Sequence, residues 1–192
     1  MMVGKKENHE KQKLSERILL HLGNCADFGF SYRFNKKFGL PQFPGRIFRD
    51  LIKVNEKDFK NSITDLKKFR FIEKKRNYDG SILISLTEKG MLRVLNSKFR
   101  RLANKKEAWD GKWRMVAFDI PEECRKGRNA LRYKMCLAGF YELQESLFLY
   151  PYDCRGEIEA FSKLFKLEKY IRFALLEFID NEDLLRRHFK LE

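Results

Sequence analysis

Six polar side chains fall on one face of a predicted helix near the middle of the chain, and their types suit contacts with a nucleic acid. Lysine reaches phosphate oxygens, whereas asparagine and threonine can hydrogen-bond to base edges from a helix lying in the major groove. We call this set the polar face: Lys57, Lys60, Asn61, Thr64, Lys67 and Lys68. A row of lysines on a helix is more often just a solvated surface, so the neighbouring elements must decide between the two interpretations.

The opposite side of the same predicted helix is apolar. Phe59, Ile63 and Leu66 recur at spacings of four and three, which predicts one buried stripe. Asn55 is the predicted N-cap, and Asp58 places a carboxylate beside the open backbone donors of the first turn. The polar face is therefore expected to point away from the core.

Two further helices are predicted before this one. The first begins at Ser15, a good N-cap, and ends at Gly23, with Ile18, Leu19 and Leu22 on one side. The second covers residues 47–52, after a stretch punctuated by Gly and Pro. Residues 24–35 are aromatic-rich and give no clear pattern.

A hairpin is predicted directly after the helix that carries the polar face. Strands at 69–75 and 81–86 flank a loop with an Asp-Gly pair, and Thr87 then opens a fourth helix. Three helices, a hairpin and a helix form the order of a winged helix-turn-helix, in which Arg76 and Tyr78 place the wing in or beside the minor groove. A protein-docking module on the same scaffold is the alternative.

The second half of the chain alternates strands and helices differently. Residues 113–120 are an apolar run closed by Pro121, and a helix follows with acidic residues in its first turn. Two short strands at 140–144 and 146–150, a helix at 156–165 and a strand at 170–178 complete the series. This β-α-β-β-α-β order predicts a ferredoxin-like domain, so the predicted fold class is α+β.

The two halves of the 192-residue chain also differ in net charge. Residues 1–110 hold 26 Lys and Arg against 13 Asp and Glu, whereas residues 111–192 hold 15 against 14. A basic half joined to a neutral half suggests that one part meets a polyanion. The predicted domains are a flexible basic arm at 1–13, a DNA-binding domain at 14–95, a charged linker at 96–110 and a dimerisation domain at 111–192.

The cysteines and the N-terminus argue against a secreted protein and against a structural metal site. Cys25, Cys124, Cys136 and Cys154 form no C-x-x-C pair, which favours reduced thiols in a cytoplasmic protein without a membrane span or signal peptide. Cys154 has no histidine nearby to activate it, and Asp153 is predicted to be the N-cap of the next helix.

The motif LTEKG, followed by WDGKWRMVAFDIPEECRKGRNALRYKMCLAGFYELQESLFLYPYD, resembles the PaaX-like family of bacterial transcriptional repressors. The central domain of that family is in turn similar to the small ferredoxin-like CRISPR-associated endonuclease of spacer acquisition. The resemblance covers roughly residues 14–180 and implies a homodimeric repressor that reads a pseudopalindromic operator. Members usually continue into a C-terminal region that senses an acyl-coenzyme A; because this chain stops at Glu192, no small-molecule inducer is carried over.

Asp119 has a different role in each of two possible functions. In the CRISPR-associated endonuclease, an aspartate at the end of the first strand is proposed to hold a divalent metal with its symmetry mate, and Asp119 matches that position. Mg²⁺ prefers carboxylate oxygens and keeps several waters, so few protein ligands suffice. The structural alternative is that Asp119 caps the helix after Pro121 or pairs with Arg114 or Arg125.

The sequence therefore predicts a sequence-specific DNA-binding transcriptional regulator, a repressor rather than an enzyme, which acts as a homodimer on double-stranded DNA without a cofactor. Two half-sites held at a fixed spacing give the specificity that one winged helix lacks. One alternative is an Mg²⁺-dependent endonuclease with Asp119 as catalytic and metal residue. The other is a non-enzymatic adaptor that grips DNA without sequence preference.

Overall fold

The chain folds as two compact units, Met1–Val94 and Leu95–Glu192, which we describe separately. The computed structural model describes residues 14–24, 29–35, 40–42, 56–78, 81–105 and 107–191, and side chains from 57 onward as well as those of 14–24. Several predictions lie outside these residues: the arm at 1–13, the second helix at 47–52, the Asn55 cap and the Asp-Gly pair of the hairpin loop.

Helices and an antiparallel sheet make up the first unit. Residues 14–23 are helical (α1), and α2 spans Glu56–Lys68. The strands are β1 (Gly29–Asn35), β2 (Leu40–Gln42), β3 (Ile72–Arg76) and β4 (Ile82–Leu86). They lie in the order β2-β1-β4-β3, and every neighbouring pair is antiparallel. α3 (Glu88–Ala103) begins in this unit and continues into the second.

The core of the first unit is the apolar side of its helices packed on β3 and β4. Phe59, Ile63 and Leu66 are all buried, as their spacing predicted, together with Ile72 and Ile84 of the hairpin. Burying such side chains contributes roughly 1.5–3 kcal/mol each relative to leaving them exposed. This burial fixes which side of α2 points outward.

One local prediction for the first unit was wrong, and one stretch that the sequence analysis left unassigned contains a strand. Residue 14 is already helical, so Ser15 lies inside α1 and is not its N-cap, although the helix does end at Gly23. The unassigned stretch at 24–35 contains β1, which pairs with β4 between Gly29↔Ser85 and Tyr32↔Ile82. Within β1, Phe30, Tyr32 and Phe34 alternate with Ser31, Arg33 and Asn35, so a period of two typical of a strand was present in the sequence.

The second unit follows the predicted order of elements. Its strands are β5 (Trp113–Phe118), β6 (Tyr141–Gln144), β7 (Leu147–Tyr150) and β8 (Ile171–Leu176). The helices are α4 (Arg125–Leu137), α5 (Arg155–Phe165) and α6 (Glu182–Phe189), with short 3-10 turns at Glu122–Cys124 and Glu168–Tyr170. The four strands lie in the order β6-β7-β5-β8, and all neighbours are antiparallel.

Both faces of this sheet are covered in the region of β5 and β7. Val116 and Phe148 pack with residues of α3, α4 and α5 on one face. Trp113 and Leu149 pack on the other face, where Leu185 of α6 is fully buried. Helix α6 was not predicted from the sequence.

Some boundaries also differ from those predicted. Phe99 and Leu102 of α3 are buried in the second core, so the first part of the predicted linker at 96–110 is helical and belongs to the second compact unit. Cys154, rather than Asp153, occupies the N-cap of α5, while the Asp153 carboxylate accepts a hydrogen bond from the backbone N–H of Arg155 at 3.1 Å. None of the described helices has the length and apolar character needed to cross a membrane.

Candidate nucleic-acid interface

All six residues of the polar face are exposed on α2. Lys67 and Lys68 occupy its last turn, where positive charge interacts favourably with the helix dipole. Thr64 turns its hydroxyl inward and donates a hydrogen bond to the Lys60 carbonyl at 2.8 Å, so this hydroxyl retains only acceptor capacity. Asp65 also lies exposed on the helix and lowers the positive charge of this surface, a feature the sequence interpretation passed over.

The end of α2 is joined to β3 by a tight left-handed turn. Arg70 has a φ of 59°, and the N–H of Phe71 donates to the Leu66 carbonyl at 2.9 Å. The N–H of Arg70 bonds to the Lys67 carbonyl at 2.9 Å, which completes a Schellman motif. Phe71 and Leu66 both belong to the core cluster, so this turn holds α2 at a fixed position relative to the hairpin.

The start of α3 locks this turn from the other side. Thr87 caps α3 by accepting a hydrogen bond from the Gly90 N–H at 3.1 Å, and its hydroxyl donates to the Arg70 carbonyl at 2.7 Å. The Thr87 N–H donates to the Phe71 carbonyl at 3.1 Å. A Cβ on Gly90 would lie 2.0 Å from that same carbonyl oxygen, so only glycine permits the close approach. These contacts explain why the LTEKG motif contains Thr87 and Gly90.

Strands β3 and β4 form the predicted hairpin. Its loop is closed by two hydrogen bonds from Asn77 to Ser81, one backbone at 2.9 Å and one between the side chains at 2.8 Å. Arg76 ends β3 and is exposed, and Tyr78 at the loop is fully exposed. Four consecutive exposed residues after Ile72 include Lys74 and Lys75, two cations that the sequence interpretation did not assign to the interface.

The structure thus places the predicted contact residues on two elements of one unit. The polar face occupies α2, and Arg76 with Tyr78 occupies the hairpin that follows it after a three-residue connection. Lys74, Lys75 and Arg70 add positive charge on the same connection and strand. The sequence signal for these residues was their positive charge on a predicted strand. This signal is weak, because exposed edge strands commonly carry lysine for solubility alone.

Asp119 follows the end of β5 and has an exposed side chain. Its backbone N–H donates to the Tyr170 carbonyl at 3.0 Å. The structural partners predicted for its carboxylate are engaged elsewhere: Arg114 binds Asp110 through two contacts of 2.6 Å, and Arg125 lies 3.5 Å from Glu122. The 3-10 turn after Pro121 has no side-chain cap, so Asp119 does not cap it.

The surroundings of Asp119 do not suit a divalent metal within one chain. An open depression there is also lined by Lys169 and Arg172, two cations that would repel Mg²⁺. Among the described residues, no three His, Cys, Asp or Glu side chains are grouped closely enough to bind a metal ion. Among the described residues that line this depression, Asp119 is the one carboxylate.

Tyr150 and Cys154, at and just after the end of β7, lie in surroundings that fit a structural role. The Tyr150 hydroxyl donates to the Leu102 carbonyl at 2.6 Å, and burial raises the pKa of this phenol. Cys154 is fully buried, and burial also raises the pKa of its thiol, which keeps it protonated and a poor nucleophile. Neither residue lies in an arrangement suited to covalent catalysis.

A family comparison matches the second unit. Residues 106–184 match the family described as PaaX protein central Cas2-like domain. This segment is similar to that domain family. The PaaX-like resemblance predicted from the sequence is confirmed for the PaaX-type domain, which contains β5 to β8, α4 and α5. The match covers less than half of the chain and leaves out the unit that carries α2. No curated protein sequence matches the chain.

Proposed function

We propose that this protein is a cytoplasmic, sequence-specific DNA-binding transcriptional regulator that represses as a homodimer. The observation that carries the proposal is the polar face of α2, which is exposed and rigidly joined to a basic hairpin. The family of the second unit takes its name from PaaX, and this supports a role in transcriptional regulation. Fold similarity does not fix function by itself, so the argument depends on the surface of the first unit.

The arrangement of the first unit favours a winged helix-turn-helix. β1 pairs with β4 and β4 pairs with β3, so the hairpin forms a sheet with a strand from before α2. In this interpretation α2 is the recognition helix and the β3–β4 hairpin is the wing. Four residues would face the major groove: Lys60, Asn61, Thr64 and Lys67. Lys57 and Lys68 would contact the DNA backbone. Arg76 and Tyr78 would place the wing at the minor groove.

The arrangement of the second unit favours a ferredoxin-like fold that dimerises. Its β-α-β-β-α-β order and antiparallel strand order β6-β7-β5-β8 support this assignment. A dimer would present two recognition helices to two half-sites, which provides the specificity that a single helix cannot. Bound across a promoter, the dimer would exclude the polymerase sterically.

The proposal is tested by titrating the full chain against its own upstream DNA and a random duplex at fixed salt, with Asn61→Ala and Lys68→Ala as variants. Asn61→Ala should weaken operator binding by about 1–3 kcal/mol and relax discrimination, because asparagine reads base edges. Lys68→Ala should weaken both duplexes alike and reduce the salt dependence, because lysine contacts phosphate. Lys126→Ala, an exposed lysine of α4, is the charge-matched control and should change neither.

Other results would identify other functions. Equal losses on both duplexes for Asn61→Ala and Lys68→Ala, with a steep salt dependence, would replace the regulator with an adaptor that binds DNA without sequence preference. The same titration with Mg²⁺, followed by a denaturing gel, would reveal an endonuclease. Cleavage that requires Mg²⁺ and disappears in Asp119→Ala would establish the nuclease and refute our assignment.

A further inference from the structure

Strand β8 forms an edge of the second sheet. It is the last strand in the order β6-β7-β5-β8, and β5 is its one partner among the described strands. The backbone groups on its outer side therefore have no ladder partner in the described part of the chain. Such an edge is a template for pairing with another strand, and stable monomers usually shield it with charge, proline or a bulge.

This edge is unusually apolar for one left to solvent. Leu175 within β8 is half exposed, and Phe178 just after it is 79% exposed. On the side toward α5, an open groove combines the apolar side chains of Ile158, Ile171 and Phe173 with a rim of charged and polar residues. Exposed apolar surface beside an unpaired strand is typical of a protein interface rather than of a solvated edge.

The charges at the two ends of β8 are opposite in sign. Residues 166–172, where the strand begins, contain three Lys or Arg against one Glu. Residues 177–183, after the strand ends, contain four Asp or Glu and neither Lys nor Arg. When two such strands pair antiparallel, each basic beginning lies beside the acidic end of the other strand. The edge is thus complementary to itself, as a two-fold interface requires.

We infer that β8 is the dimerisation edge, at which two copies of the chain pair their β8 strands antiparallel about a two-fold axis. The inference deepens the proposed function and rests on its homodimer. A second copy satisfies the outer backbone groups of both strands, covers Leu175 and Phe178, and brings unlike charges together twice. An unrelated partner strand would need the same combination of apolar centre and opposed ends.

A charge-swap experiment tests this directly on the full chain. Variant one, Lys169→Glu with Arg172→Glu, makes the beginning of β8 acidic. Variant two, Asp180→Lys with Asp183→Lys, makes its end basic and leaves the ion pair between Lys112 and Glu177 of the same chain intact. Each variant alone should place like charges together and raise the dimer dissociation constant about tenfold or more. An equimolar mixture should restore dimers, because the acidic beginning of one variant meets the basic end of the other.

Two controls separate this effect from loss of folding or of net charge. Arg125→Glu with Lys126→Glu changes the net charge as much as variant one, but at the exposed start of α4, and should remain dimeric. Leu175→Lys should give monomers that no mixture rescues, whereas Tyr133→Lys, at a 65% exposed residue of α4, should not. Thermal unfolding followed by circular dichroism verifies that each variant is folded.

Sedimentation equilibrium and native mass spectrometry of the variants and their mixture give distinguishable outcomes. Heterodimers formed from two monomeric variants would establish the β8 interface. Folded variants that stay as dimeric as the original chain would overturn the β8 assignment and leave dimerisation to another surface. An original chain that is monomeric throughout would refute the homodimer itself, and a mixture that stays monomeric would refute the antiparallel pairing.

Discussion

Replacing Gly90 by alanine should loosen the junction that holds α2 against the hairpin. The added Cβ would lie 2.0 Å from the Phe71 carbonyl oxygen and 3.1 Å from Cδ2 of Leu86. The first contact is with backbone, so it cannot be relieved by rotating a side chain. The start of α3 must therefore move away from the turn at residues 69–71.

The cost can be estimated from the hydrogen bonds that cross this junction. Moving α3 away weakens the bonds from Thr87 to the carbonyls of Arg70 and Phe71 and the cap from Gly90 to Thr87. Three bonds at about 1 kcal/mol each would be lost, while alanine regains about 1 kcal/mol of helix propensity. The net destabilisation is about 2 kcal/mol, which corresponds to about 8–16 °C in the midpoint of a unit this size.

Hydrogen exchange of the full chain, combined with thermal unfolding, measures this effect and locates it. Exchange should accelerate in residues 66–90 and leave β5 to β8 unchanged, and operator affinity should fall because α2 is no longer held in place. Gly156→Ala is the matched control, since no atom lies within 4 Å of the added Cβ in the first turn of α5. A Gly90→Ala protein as stable as the control would refute the close-approach argument.

Two further predictions concern the second unit. Tyr150→Phe removes the hydrogen bond to the Leu102 carbonyl but retains the stacking on Phe140 at 4.4 Å. The free energy of unfolding measured by urea denaturation should therefore fall by about 1 kcal/mol. Tyr133→Phe is the control and should not change this free energy, so equal losses in the two variants would contradict the assignment. The Arg114 guanidinium lowers the pKa of Asp110 to about 2 from an ordinary 3.8. Because the folded pKa is the lower one, ionised Asp110 stabilises the fold above the ordinary pKa, and this contribution is lost as the pH falls toward 2. The difference in unfolding free energy between the original chain and Asp110→Asn should be below about 1 kcal/mol, because the carboxylate is half exposed. This difference should shrink as the pH falls from 3.8 to about 2. A difference that stays constant over this pH range would exclude the titration of Asp110.

The sequence determined the elements whose patterns are local. The spacing of Phe59, Ile63 and Leu66 predicted the buried side of α2, and therefore the exposure of the polar face. The prolines, glycines and apolar runs of the second half predicted the order of its strands and helices, with ends shifted by only a few residues. These features follow from helical and strand periodicity, which a single segment carries by itself.

Only the tertiary structure decided features that join distant segments. The pairing of β1 with β4 cannot be derived from either segment alone, and α6 was missed although its Leu185 seals the core around Trp113. Gly90 reads locally as an ordinary helical glycine, yet the Phe71 carbonyl fills the space its side chain would need. The partners of Asp119 could not be predicted for the same reason: Arg114 binds Asp110 because β5 points that side chain toward residue 110. Periodicity fixes which face of an element is apolar, but pairing and close approach depend on residues far apart in the chain, whose contacts exist only once the core has formed.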